Sequence, residues 1–213
     1  ESFNGLNSVL QAIEIAKTDP HIKGISLKST GNLSGIAFAQ ELRRALEDFK
    51  TSGKFVLAYN DEISQLDYYL QSVADKVYIS QLGNVNLRGL SSEIFFYKDL
   101  QEKTGLRMEV IRHGKYKSAV EPFLENKMSD NNRLNAMWDV LVTDIAKSRN
   151  LSVEKLNEIA TNVYGRTAEL AQQNGLIDGV LFRDEFEKIL CEKVGKKEID
   201  DVNFIGIEDY AES

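Results

Sequence analysis

Two lysines, Lys115 and Lys117, stand in the stretch RHGKYKSAVEPF, directly after the run LRMEVI. A lysine in such a place offers one reaction that a solvated lysine does not. Stripped of water, or set beside other cations, its amine sheds its proton and becomes a base for a hydroxyl nucleophile. Lysines are ordinarily surface charges, so the argument for chemistry rests on position. Leu106, Met108 and Val110 alternate with Arg107 and Glu109, the period of a half-buried strand. Both lysines therefore follow a strand end, where ligands and catalytic groups gather in open α/β sheets.

Other nucleophile–base pairs are poorly supplied. His21 and His113 are the only histidines and no HExxH spacing occurs, which argues against a zinc site or a Ser-His-Asp triad. Cys191 is the only cysteine, inside the helical pattern RDEFEKILCEKVG, so it forms no internal disulfide or cysteine cluster. Ser118 adjoins Lys117, but neighbours in an extended segment face opposite ways, and Pro122 favours extension locally. No cofactor and no metal are expected.

Positioning falls to alternating strands and helices. Leu6, Val9, Leu10, Ile13 and Ala16 mark a helix over 4–17 that ends at TDP, and IKGISLKS follows as a strand. Ser34 precedes a helix through Ile36, Ala39, Leu42, Leu46 and Phe49, and KFVLAY is the next strand. DEISQLDYYLQSVAD reads as a helix, KVYIS and NVNLRGL as two strands, SSEIFFYKDLQEKTG as a helix and LRMEVIRHG as the last strand. Such alternation predicts a mainly parallel sheet covered by helices. From Ser129 the pattern is helical: Leu134, Trp138, Leu141, Val142 and Ile145 form one stripe, followed by SVEKLNEIA and TAELAQQNG. The expected organisation is a core over 1–128, a helical extension of the same domain over 129–195, and a polar tail or linker over 196–213.

The chain has 213 residues, is 42% hydrophobic and carries a net charge of −7, which permits a sizeable core and argues against nucleic acid as a partner. No run of 18 apolar residues is present. The opening ESFNGLNSVL lacks an initiator Met and a leader pattern, in keeping with a piece of a longer protein.

The stretch GKYKSAVEPFLENKMSD closely resembles the N-terminal repeat of the signal peptide peptidase A family, membrane-tethered bacterial serine proteases of the two-repeat type. SQLDYYLQSVADKVYISQLGNVNLRGL and GRTAELAQQNGLIDGV are similar to further elements of that family. The resemblance implies a crotonase-like, Clp-protease-like α/β superhelix of βαβ units with a C-terminal helical extension. It also implies a Ser/Lys dyad, with the serine in the C-terminal repeat and the general-base lysine, matched through YKSAVEPF, at Lys117.

Implied with it are cleaved signal peptides as substrates, the C-terminal repeat of the same protein as partner, a homo-oligomer, and a tether outside this chain holding the protein on the periplasmic face of a membrane. In the isolated repeat Lys117 is expected to be exposed and cationic. Ser64 lies in the segment that corresponds, by repeat symmetry, to the nucleophile region. However, aligning Tyr68 and Tyr69 with the family's aromatic pair puts Gln65, Leu66 and Asp67 where the catalytic repeat has Ser-Gly-Gly. The paired-glycine loop is likewise reduced to isolated glycines in LKSTGNLSG. Both departures remove the flexible backbone from which an oxyanion hole is made.

Two other functions use the same fold class. A crotonase-type enzyme acting on an acyl-coenzyme A would need two backbone amides for a thioester oxyanion and a carboxylate acid/base. A non-catalytic assembly module would leave Lys117 without a chemical role and use the apolar stripe through Trp138 for association.

Overall fold

The computed structural model describes residues 5–29, 35–90, 103–104 and 133–212. Two compact units divide the chain, one of residues 1–89 and 141–213, the other of residues 90–140. The first unit is built on a four-stranded parallel sheet in sequential order, β1 (Gly24–Leu27), β2 (Phe55–Ile63), β3 (Lys76–Val85) and β4 (Gly179–Val180). Each strand adds beside the one before it after a crossover, the stepwise arrangement of a βαβ superhelix.

Helices α1 (Leu6–Thr18), α2 (Ile36–Lys50) and α3 (Gln65–Gln71) precede and separate the first three strands. Then come α4 (Arg133–Arg149), α5 (Val153–Asn162), α6 (Ala168–Gln173) and α7 (Arg183–Val194). Strand parity assigns the two sheet faces. Leu57 packs with Phe186 and Leu190 of α7, and Tyr59 stacks on Phe186 at 4.9 Å between ring centroids. Asn60, of opposite parity, instead donates its amide to Gln71 of α3.

Several boundaries differ from the sequence expectation for identifiable reasons. The helix expected from residue 61 starts at Gln65, because β2 continues through Asp61 and Glu62 to pair Glu62 with Asn84 and Ile63 with Val85. KVYIS and NVNLRGL are not two strands. A single β3 runs to Val85, with a register shift opposite Asn60–Glu62 that leaves extra residues on its side. Gly83 sits in that irregularity, where a Cβ would lie 2.5 Å from the Asp61 carbonyl oxygen. Helix α2 is capped by Gly35 at φ 98°, and Ser34, the expected start, lies outside the described residues. The expected elements SSEIFFYKDLQEKTG and LRMEVIRHG also lie outside them, apart from a helical turn at Lys103–Thr104.

Residues 196–212 are not wholly irregular. They form a 3-10 turn at Ile199–Asp201 and a helix, α8 (Ile207–Glu212), with Tyr210 donating its hydroxyl to Asp19 at 2.9 Å. In α4 the apolar stripe divides along its length. Leu141, Val142 and Ile145 are fully buried in the first unit, Trp138 is half-buried, and Met137 and Val140 are exposed. No helix among the described residues is long and apolar enough to cross a membrane.

Asp178 fastens the start of β3 to the end of α4. Its carboxylate accepts from the Val77 amide and from Arg149, each at 2.8 Å, and from Lys76 at 3.2 Å. Burial alone would raise the Asp178 pKa, but the bonds from Arg149 and Val77 outweigh it and hold the group below the usual carboxylate range. A depressed folded-state pKa gives stability that is fully present above the unfolded value, about 3.9, and is lost as pH falls through the folded one. The variant Asp178→Asn is therefore expected to lose about 1–3 kcal/mol at pH 7 and to flatten the acid side of a stability–pH curve. Urea denaturation from pH 2 to 7 checks this, and unchanged acid sensitivity would exclude Asp178 as its source.

Candidate active site at the strand ends

The carboxyl ends of β1 and β2 meet the first turn of α3, and the polar side chains there form one connected network. Asp67 is its centre. It lies in the first turn of α3, where a negative charge is favoured by the helix dipole, and it is buried. Its Oδ2 accepts from the Ser64 hydroxyl at 2.7 Å and from the Ser29 hydroxyl just past β1. The Ser64 Oγ in turn accepts from the Asp67 backbone amide at 3.2 Å, the bond of a helix N-cap. Asn60 extends the network: its Oδ1 accepts from the Ser29 amide, and its Nδ2 donates to Gln71 at 2.6 Å. Buried polar groups are costly unless paired, and Asn60, Asp67 and Gln71 all have partners.

Gln65 binds the chain beyond β3. Its Oε1 accepts from the amides of Arg88 and Gly89 at 3.0 and 3.1 Å, and its Nε2 donates to the Gly89 carbonyl at 3.1 Å. Gly89 has φ 87°, a conformation a side chain resists, so a glycine belongs there. In front of these strand ends is a groove of about 440 Å³ whose walls include Lys28, Ser29, Tyr59, Asp61, Glu62 and Phe186.

This chemistry is that of a locked scaffold. Ser64 directs its proton to a buried carboxylate and spends a lone pair on a helix amide, which leaves it poorly placed to attack a carbonyl. Ser64→Ala is accordingly expected to cost about 1 kcal/mol, the usual loss for an N-cap. Chemical denaturation measures it, and an unchanged midpoint would mean that the cap contributes nothing.

The sequence candidates distribute as follows. Lys117, Lys115, Ser118 and His113 lie outside the described residues. His21 is 91% exposed and sits 3.0 Å from Asp19. Cys191 is buried on α7. Asp75 accepts from the Val56 amide at 2.8 Å and pairs with Lys50 at 2.9 Å, fixing the start of β2. Ser29, Asn60 and Gln71 were not anticipated. Asn60 ends an apolar strand run and Gln71 falls on the same helix face as Asp67 one turn later, but only the meeting of β1, β2 and α3 joins them. Among the described residues no group of three His, Cys, Asp or Glu side chains is placed to hold a metal ion.

Parallel strands added in sequence, helices on both faces and polar groups at the carboxyl ends define an α/β protein of the crotonase-like and Clp-protease-like class. Within that class the chain belongs to Peptidase family S49, whose profile matches residues 48–196. It is 34% identical to Protease 4 of Haemophilus influenzae over 95% of this chain and 35% of that protein. It is 33% identical to Protease 4 of Salmonella typhi over 90% of this chain and 33% of the relative. With the chloroplastic serine protease SPPA of Arabidopsis thaliana it shares 29% identity over 84% of this chain and 27% of the relative. The chain thus spans about a third of the length of these relatives.

Proposed function

We propose that the chain is the first repeat of a membrane-tethered signal peptide peptidase and supplies half of its active site. In this reading Lys117 removes the proton from a serine of the second repeat, which then attacks the peptide carbonyl. The products are an acyl-enzyme and a released amine, and water completes the turnover. The observation that carries the reading is the first turn of α3. There, inside the segment matched to the peptidase family, Ser64 is tied to Asp67 as a cap, and Gln65-Leu66-Asp67 stand where the family resemblance leads one to expect Ser-Gly-Gly.

A repeat whose own nucleophile position is filled by a structural network keeps its fold and can still donate a base to a neighbour. Family membership supports hydrolysis of peptides, and the lysine segment KYKSAVEPF falls within the matched residues. Released signal peptides are the proposed substrates, and the tether and the second repeat belong to the longer polypeptide. Assembly into a homo-oligomer is part of the same proposal.

The test separates the two halves. The 213-residue chain alone is expected to fold and to turn over no unstructured peptide, because a base without its nucleophile supplies no covalent step. The full-length protein is expected to cleave the same peptide and to retain that activity after Ser64→Ala. Turnover by the isolated chain, abolished by Ser64→Ala, would overturn the division.

A further inference from the structure

We propose that the groove on the α7 side of the sheet binds the leading end of a peptide, a cationic residue followed by apolar ones. The inference rests on the peptidase reading only for the source of that peptide, since a released signal peptide runs from a basic n-region into an apolar h-region. Strand parity supplies the floor. Leu57 and Tyr59 turn to α7, where Tyr59 lies against Phe186 with ring planes 15° apart, while Asn60 turns to Gln71 of α3. The floor is therefore on the face opposite α3, away from the capped Ser64.

The groove, of about 440 Å³, falls in the size range of small-ligand sites, and Tyr59, Phe186, Leu190 and Phe204 form its apolar walls. Phe204 is 61% exposed, which leaves its ring free to be covered. Five charged side chains line the same groove. Arg183 and Glu187 cancel, paired at 2.9 Å one turn apart on α7. Asp61 and Glu62 of β2 are exposed and reach no cation among the described residues, and Lys28, just past β1, reaches no carboxylate among them. The free charge is one lysine against two carboxylates, a surplus of one negative.

Asp61 has the parity of Leu57 and Tyr59. Burial first, and then the Asp61 charge, hold the Tyr59 hydroxyl above its ordinary pKa. A carboxylate so placed beside apolar surface is less screened by water and holds a cation more firmly than one in open solvent. The combination selects the occupant. An acyl chain would cover the floor and leave both carboxylates unused, a small ammonium ion would leave the apolar walls wet, and an anion would meet the negative surplus. A peptide with a cationic residue ahead of apolar ones answers both features, its charge at Asp61 and Glu62 and its apolar side chains on Tyr59, Phe186 and Phe204.

The test reads binding to the full-length protein by fluorescence anisotropy, so its outcome does not depend on turnover. Two dye-labelled peptides share an N-methylated leucine–alanine core that resists proteolysis, one led by a pair of lysines and the other by a pair of glutamates. The lysine-led peptide is expected to bind at least about tenfold more tightly at low salt, and the double variant Asp61→Asn, Glu62→Gln to remove most of that preference. Lys28→Gln is expected to tighten the lysine-led peptide by about twofold or more. A photo-reactive benzoylphenylalanine at position 204 is expected to cross-link to it. Equal binding of the two peptides, a preference that survives the double substitution, weaker binding in Lys28→Gln, or a complex without the cross-link would each overturn the proposal. Failure of the peptidase reading is distinct: a full-length protein that binds the lysine-led peptide in this groove and cleaves no peptide keeps the groove and loses the protease. A protease that binds both peptides equally loses only the groove.

Discussion

Replacing Lys117 by methionine in the full-length protein is expected to lower peptide turnover by about a thousandfold or more, at the upper end of the loss for a general base. Lys117→Arg should be equally inactive, since a guanidinium keeps its proton throughout the working range. The size of the effect follows from the state of the amine. A lysine with the ordinary pKa of about 10.4 is neutral in well under 1% of molecules at pH 8, so it must be desolvated or placed near cations to act.

Under the proposed division, in which a second repeat closes the site, the expected sign is a depressed pKa in the full-length protein and an ordinary one in the isolated chain. Activity should then rise with pH as the amine loses its proton, and this limb should disappear in the residual activity of Lys117→Met. Nitrogen NMR of the labelled lysine in both proteins reads the pKa directly. A Lys117→Met enzyme that melts with its parent and still cleaves peptide would remove Lys117 from the mechanism and favour the assembly-module reading.

Residue periodicity is a good guide wherever one element answers to one environment. The stripes of α1, α2, α5 and α7 appear within a few residues of their final bounds, because each buries a single face against the sheet or a neighbouring helix. It fails where a distant partner decides. Asp61 and Glu62 look like the acidic first turn of a helix, yet pairing of Glu62 and Ile63 with Asn84 and Val85 carries β2 four residues beyond Tyr59 and moves the cap to Ser64. The two-residue β4 has no period to detect, and it exists because Gly179 and Val180 pair with Tyr78 and Ile79.

The polar network was the least legible feature. The sequence shows that Gln65-Leu66-Asp67 hold no Ser-Gly-Gly, but the network built there depends on Ser29, Asn60 and Asp67 converging from separate elements. The lysine assignment has a different origin. It comes from likeness to a family motif, because strand-end position alone does not distinguish Lys117 from Lys115.

The largest expected effect on stability comes from Arg43, which reads as an intruder in the apolar stripe of Ala39, Leu42, Leu46 and Phe49. Only 3% of it is exposed, and its guanidinium joins three helices. Nη1 donates to the Tyr69 carbonyl and to Ser72 at 2.8 Å, near the end of α3, while Nη2 donates to the Asp144 carbonyl at 2.9 Å and to Ser148 in α4. Nε lies 3.3 Å from Glu47, and the group stands over the Tyr69 ring at 4.9 Å.

Methionine at this position would match the stem of arginine but take the donors away from the buried Tyr69 carbonyl and Ser72 hydroxyl and from the half-buried Asp144 carbonyl. A loss of about 3–5 kcal/mol is expected, from two buried acceptors left without a donor at about 1–3 kcal/mol each and the lost contact with the Tyr69 ring, against a total of about 5–15 kcal/mol for a domain. For a chain of this size that lowers Tm by about 6–20 °C. Lysine should recover less than half of the loss, because one ammonium does not span the α3 and α4 acceptors as the planar fork does. Urea denaturation of Arg43→Met and Arg43→Lys measures both. A loss under about 1 kcal/mol in the methionine variant would mean that water or repacking serves those acceptors, and that the stripe tolerates arginine without depending on it.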